Sequence, residues 1–228
     1  MTPNIIRTPN LIEQALELIR NCEKEAVQNR GQFRLGLSGG NTPRPIYEAL
    51  SKRGEELASW MFTFGDERCV PPDHKDSNYR MVRECLFDLA PIPPANVLRM
   101  RGEDDPPSAA SDYEVQLRAI AKKHGEAHYR HDLLLLGMGD DGHTASLFPG
   151  TEALGEMHKW VTANFVPKFG TYRITLTYPI LNAARHVCFL VNTKGKGPML
   201  EEVLSGKSDY PCTRVRPADG SVTWLLGE

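Results

Sequence analysis

At 228 residues, with 40% hydrophobic side chains and a formal net charge of −2, the chain can fill the core of one large domain and carries no electrostatic footprint for DNA, RNA or an anionic membrane. No stretch approaches the roughly 20 apolar residues of a membrane span. The N-terminal "MTPNIIRTPNLIEQALELIRNC" lacks a basic region leading into a plain apolar core, so no signal peptide is expected. The cysteines Cys22, Cys69, Cys85, Cys188 and Cys212 are an odd, scattered set without a C-x-x-C pair, which fits reduced thiols in a cytoplasmic protein.

Residues 10–29 place Leu11, Ala15, Leu18, Ile19, Cys22 and Ala26 at helical spacing, an amphipathic helix on a core. "FRLGLSGG" reads as a buried strand ending at Gly39-Gly40. "TPRPIYEALSK" then starts a helix, with Thr42 as N-cap and Pro43 in first position. "MFTFGDE" is a short strand and "SNYRMVRECLF" a helix capped by Ser77 or Asn78. "NVLRM" is a strand, followed by a helix through about residue 123. "HDLLLLGMG" is the most apolar strand, its unbroken run suited to burial on both faces. "KWVTANF", "RITLTYPILNAA" and "HVCFLVN" continue the series, "KGPMLEEVLSG" is a helix and "SVTWLL" the last strand. Strands alternating with helices predict an α/β fold: a mostly parallel sheet with helices on both faces, in a single domain over residues 1–228.

In such sheets sites lie beyond the carboxyl ends of the strands. Four polar turns follow predicted strand ends, at residues 38–42, 66–68, 139–143 and 192–196. Gly137-Met-Gly139-Asp-Asp-Gly142 matches G-x-G-x-x-G, but Asp140 and Asp141 would repel a pyrophosphate, and this is not the first strand-turn-helix unit. Gly36-Leu-Ser38-Gly-Gly40 matches G-x-S-x-G, which makes Ser38 a possible nucleophile. The following residues suit an anion better: the N–H groups of Gly39, Gly40 and Asn41 and the Thr42 hydroxyl form a cradle at a helix N-terminus. His124, His128 and His131 lack a further ligand and a protecting shell, and read as a solvated connection rather than a metal site.

His143 stands just past the most buried strand, two residues after Asp141. A neutral imidazole there can take a proton from water, and a neighbouring carboxylate, Asp140 or Asp141, can fix its tautomer. Thr144 to Phe148 would begin a helix, with Phe148 packing inward. Arg44, Arg68, Arg173, Lys194 and Lys196 lie near other strand ends. With the glycine cradle they indicate an anionic, phosphorylated small substrate. The residues thus supply a base and an anion grip, with no signature of a metal or nucleotide cofactor.

The motifs "LSGGNTPRPIYEAL", "FGDERCVPPDHKDSNYRM", "LLLLGMGDDGHTASLFPG" and "RITLTYPILNAARHVCFLV", with the Lys196 segment, occur in this order in 6-phosphogluconolactonases, and the chain resembles that family over about residues 10–226. The resemblance implies a Rossmann-like α/β domain that hydrolyses 6-phospho-D-glucono-1,5-lactone without metal or nucleotide cofactor. It implies His143 as general base with Asp141 as partner, and Arg68 near the reacting end. Gly39, Gly40 and Thr42, with Asn41 where serine is usual, match the phosphate loop; Arg173 and Lys196 match phosphate-binding positions. The related glucosamine-6-phosphate deaminase/isomerases share the glycine loop and the D-G-H turn, but read "DGHIAFNEPG" and "MDEY" where this chain has "DGHTASLFPG" and "GDER". A non-catalytic sugar-phosphate sensor is a third reading; such sensors usually carry a DNA-binding segment, which this sequence lacks. The expected protein is a cytoplasmic monomer or small homo-oligomer acting on a phosphosugar lactone, without a nucleic-acid or membrane partner.

Overall fold

The computed structural model describes residues 2–206 and 208–228. In chain order these form β1 (Asn4–Thr8), α1 (Leu11–Arg30), β2 (Arg34–Leu37), α2 (Arg44–Ser51), β3 (Met61–Phe64), β4 (Asp66–Arg68), α3 (Asn78–Val82) and α4 (Pro106–Lys123). They continue as β5 (Leu133–Leu136), β6 (Val161–Val166), β7 (Thr171–Leu176), α5 (Tyr178–Leu181), β8 (His186–Asn192), α6 (Gly197–Leu204) and β9 (Ser221–Gly227). Six strands make a parallel sheet in the order β1-β9-β8-β5-β2-β3. The expected α/β architecture, Rossmann-like and mostly parallel, is the observed one.

The pleat explains why the central strands are apolar throughout. Leu133 and Leu135 of β5 point into a core built with α1 and α2, whereas Leu134 and Leu136 point into a second core built with α4 and α6. The same alternation sends Cys188 and Leu190 of β8 to the first core, and Val187, Phe189 and Val191 to the other. A strand covered by helices on both faces has no polar side to show. The long α1 is closed at both ends. Asn10 Oδ1 accepts from the Glu13 N–H, and Gly31, at φ 73°, donates its N–H to the Val27 carbonyl.

Several expectations are corrected. "KWVTANF" and "RITLTYPILNAA" do not extend the parallel sheet: β6 and β7 form an antiparallel hairpin, joined by β4 in a second sheet of order β4-β7-β6. Gly65 divides "MFTFGDE" between the two sheets, donating to the Leu37 carbonyl of β2 and accepting from the Leu176 N–H at the end of β7. "NVLRM" makes one bridge, Val97 to Phe62, with the Leu98 N–H donating to the Phe62 carbonyl, and no strand; the Leu98 and Met100 side chains are buried in the core. The edge strand β1 was not foreseen, because its short, largely exposed sequence shows no alternation. The helix α2 begins at Arg44 with no side-chain cap, so Thr42 does not cap it, whereas Ser77 does cap α3. His131 is fully buried rather than solvated, with Nε2 2.9 Å from Thr63 Oγ1. Among the described residues no cluster of His, Cys, Asp or Glu has the arrangement to hold a metal ion, and no helix is long and apolar enough to cross a membrane.

No helix follows His143 either. Thr144 and Leu147 form a tight antiparallel bridge, and Ala145 takes φ 47°. The Thr144 hydroxyl donates to the Gly137 carbonyl, Thr175 Oγ1 accepts from the Ser146 N–H, and Asn164 Nδ2 donates to the Ser146 carbonyl. Side chains of the second sheet thus occupy backbone groups that a helix would have used. The loop is pinned by tertiary bonds.

Candidate active site

From β2 the chain moves outward to β3, and from β5 it moves outward the other way to β8 and β9. The carboxyl ends of β2 and β5 therefore diverge at a topological switch point, where a crevice opens in sheets of this kind. A cleft of about 240 Å³ lies there. Its walls include Ser38, Gly39, Gly40, Asn41 and Thr42 after β2, Asp66 and Arg68 of β4, Asn78, Gly139 and His143 after β5, Asn192 at the end of β8 and Lys196 beyond it. Chain segments far apart in sequence converge on one space.

The glycine loop is shaped from behind. The Tyr47 hydroxyl accepts from the Ser38 N–H and donates to the Ser38 carbonyl, each at 3.0 Å, which fixes the end of β2. A β-carbon on Gly39 would stand 1.8 Å from Asn78 Oδ1, so only glycine lets the loop lie against that amide. Among the described residues the N–H groups of Gly39, Gly40 and Asn41 find no acceptor, and the buried Ser38 Oγ also lacks a partner. Donors without acceptors beside a cleft form an anion-binding concavity. Lys196 reaches in from the start of α6, its Nζ 2.5 Å from the Met138 carbonyl and 3.1 Å from Asp140 Oδ1. Lys194, more exposed, is not part of the cleft wall.

Opposite the loop, the turn after β5 presents His143. Its Nδ1 is 2.5 Å from Asp141 Oδ1, while Nε2 makes no hydrogen bond to any of the described residues. Asp141, not Asp140, is thus the carboxylate on the imidazole; Asp140 faces solvent beside Lys196. Burial pushes the Asp141 carboxyl up, but hydrogen bonds from His143 and from Lys168 Nζ at 3.0 Å outweigh it and hold the group down at about 2. The carboxylate stays ionised and favours the tautomer with its proton on Nδ1. Phe148 stacks on the imidazole at 3.9 Å between ring centroids.

Arg68 closes a third side. Its Nη1 donates to the Asp76 carbonyl at 2.5 Å, and its buried Nε has no partner. Arg173 does not line the cleft; it faces Arg68 across the β4–β7 ladder and packs on the Phe169 ring, its own buried Nε also unpaired. Burial and the neighbouring Arg68 charge both lower the Arg173 pKa. Two like charges in register are destabilising by themselves, and a bound anion would relieve that cost. Beneath them, buried Glu67 accepts from the N–H groups of Arg68, Asn78 and Tyr79 and locks β4 to α3.

Lys168, Phe169 and Asn78 have no site role in the sequence reading, and Asp66 figures there only as part of the 66–68 turn. Asp66 accepts from Asn78 Nδ2 at 3.1 Å and Ser146 Oγ at 2.6 Å while lining the cleft. Its place beside Arg68 in a strand-end turn was the one available signal. Lys168 and Phe169 had none, because they belong to a hairpin whose pairing was not foreseen.

A parallel α/β sheet with a loop of unpaired N–H donors and a His–Asp pair facing each other across the switch point defines a Rossmann-like fold with its cleft at the carboxyl ends of the strands. A sequence profile described as glucosamine-6-phosphate isomerases/6-phosphogluconolactonase matches residues 7–224, and the chain belongs to that family. The 6-phosphogluconolactonase of a Synechocystis strain is 40% identical over 228 residues, covering 98% of this chain and 94% of its own. The human 6-phosphogluconolactonase is 39% identical over 207 residues, covering 87% and 80%. The crystal structure of 6-phosphogluconolactonase from Thermotoga maritima superposes with a TM-score of 0.87 at 30% identity over all of both chains.

Proposed function

We propose that the chain hydrolyses 6-phospho-D-glucono-1,5-lactone to 6-phospho-D-gluconate, a step of the oxidative pentose phosphate pathway, in the cytoplasm. One observation carries the reading. An imidazole with one nitrogen tied to an ionised carboxylate and the other free faces a loop of unpaired N–H donors across a single cleft. The relatives named 6-phosphogluconolactonase support the lactonase branch of the family over the isomerase branch.

In this mechanism the phosphate binds the N–H groups of Gly39, Gly40 and Asn41, the Thr42 hydroxyl and Lys196, with Arg173 adding positive charge from beside Arg68. That grip fixes the far end of the sugar and orients the lactone carbonyl. His143 Nε2 takes a proton from water as the water oxygen attacks the carbonyl carbon, and Asp141 stabilises the imidazolium. The oxyanion is met by Arg68, whose Nε is free; one such donor is worth about 3 kcal/mol in comparable sites. The intermediate collapses, the ring C–O bond breaks, and the imidazolium returns its proton to the leaving ring oxygen. Each step is a proton transfer or an acyl transfer, so the reaction draws on no redox carrier or nucleotide.

The test generates the lactone in situ and follows its hydrolysis above the spontaneous rate. Wild type is expected to accelerate it, and His143→Ala to lose the acceleration while remaining folded. Wild type that adds nothing to the spontaneous rate would overturn the assignment, and turnover of glucosamine 6-phosphate instead would move it to the isomerase branch.

A further inference from the structure

The turn between β6 and β7 belongs to the second sheet, yet it reaches the imidazole by two routes. Lys168 Nζ donates to Asp141 Oδ2 at 3.0 Å, leaving Oδ1 of the same carboxylate for His143 Nδ1. Phe169, the next residue, packs edge-on against Phe148 at 5.6 Å, and Phe148 in turn stacks on the His143 ring. The turn holds both residues in place through its own backbone, the N–H groups of Phe169 and Gly170 both donating to the Val166 carbonyl. One hairpin tip thus touches the partner of the imidazole and the ring that covers its face.

We infer that Lys168 is a positioning residue for the His143 base, acting through Asp141 rather than on the substrate. The inference rests on the lactonase reading for its kinetic consequences, but its geometry is a property of the free protein. Asp141 lies in a turn, partly exposed, and among the described residues its side chain pairs with the imidazole through Oδ1 and with the Lys168 ammonium through Oδ2. The remaining charges at this end of the cleft, Asp140 and Lys196, are paired with each other. With Lys168 in place, one carboxylate oxygen is anchored, and the other is aimed at Nδ1. Without it, Oδ2 is released to water and Oδ1 keeps only the imidazole and the long 3.3 Å bond from the His143 N–H, so the bond that selects the tautomer loses its anchor. The lysine also fits this task better than direct anion binding: its ammonium is spent on Asp141, and it is not part of the cleft wall.

The test compares Lys168→Met and Lys168→Arg, each alone and with Asp141→Asn. Lys168 is exposed in a turn, so these variants are expected to fold. Lys168→Met should lower kcat about tenfold with KM unchanged, less than the hundredfold that a full ångström of misplacement can cost. Lys168→Arg should restore most of it, and Lys168→Met should change kcat less than about twofold when Asp141 is already asparagine. A raised KM with unchanged kcat, additive effects, or no effect would each overturn the inference. A second readout does not depend on turnover: long-range ¹H–¹⁵N spectra of the ligand-free protein should show His143 as one tautomer, protonated at Nδ1, and as an average of two in Lys168→Met. Should wild type prove inactive on the lactone, the functional reading fails, and this spectrum alone decides; an unaltered tautomer in Lys168→Met overturns the positioning role.

Discussion

Gly139 lies against the imidazole of His143: a β-carbon at that position would stand 2.0 Å from Cε1 and 2.1 Å from Nδ1. The same residue closes the turn through backbone bonds, its N–H donating to the His143 carbonyl and its carbonyl accepting from the Gly142 N–H. The ring therefore packs against the backbone of Gly139 and the face of Phe148, with Asp141 at its edge. A base gripped on three sides keeps its geometry before substrate arrives, which is where an oriented proton acceptor gains its advantage.

Gly139→Ala is expected to displace the ring and lower kcat by about a hundredfold or more, the cost of roughly an ångström of misplacement. Thermal unfolding of the variant should stay close to wild type, because the added methyl meets a side chain that can swing toward the cleft. Near-wild-type turnover in Gly139→Ala would show that the ring does not need this seat.

The buried His131 predicts a pH dependence at the opposite end of the sheet. Burial, with a smaller contribution from the Arg34 guanidinium, lowers its pKa from 6.5 to about 3. As pH falls below about 6.5 the unfolded chain takes up a proton there and the folded chain does not, so stability drops by up to about 1.4 kcal/mol per pH unit until the folded group itself titrates. His131→Gln, able to keep a bond to Thr63, should flatten the stability curve between pH 6.5 and 4. Urea denaturation at several pH values measures it, and parallel curves for the two proteins would refute the assignment.

Asp132, buried just before β5, ties three arginines together. Its carboxylate meets Arg30 at 2.8 Å and Arg185 at 3.2 Å and accepts from the Arg34 N–H at 2.8 Å, while Glu126 takes the guanidinium ends of Arg34 and Arg185. Asp132→Ala leaves the buried Arg34 N–H and the partly buried Arg30 guanidinium without their partner, while Arg185 keeps Glu126, and should cost about 1–3 kcal/mol of stability. Because this cluster sits at the amino ends of the strands, kcat should be unaltered at temperatures where the variant is folded. A matching loss of kcat would mean that the two ends of the sheet are coupled.

The parallel core was legible because its signals are local. Four leucines in a row at 133–136, ending at a glycine turn, suit a strand covered on both faces, and the apolar spacing of residues 11–30 describes one face of a helix whatever it packs against. The glycine loop and the D-G-H turn were legible for a related reason: strand-to-turn punctuation at Gly39 and Gly139 reports where the backbone must pass close to something else. The order of the motifs then carried the family resemblance. The choice of Asp141 over Asp140 was left open, since neighbouring residues in a turn point different ways and spacing alone does not say which.

What escaped the residues was whatever depends on a partner distant in the chain. The β6 and β7 segments look like strands, but their alternation does not name the strand they pair with, and β4 captured them into a second sheet. Residues 144–148 have a composition compatible with a helix, yet Thr175 and Asn164 of that sheet take their backbone groups and hold a loop instead. Lys168 lies 27 residues from Asp141, and no local rule joins them. Backbone propensity and burial period are written along the chain. Which hydrogen-bonding groups meet is settled only when both sheets close around the core, because each such bond must compete with water and wins only when tertiary packing has already brought its two halves together.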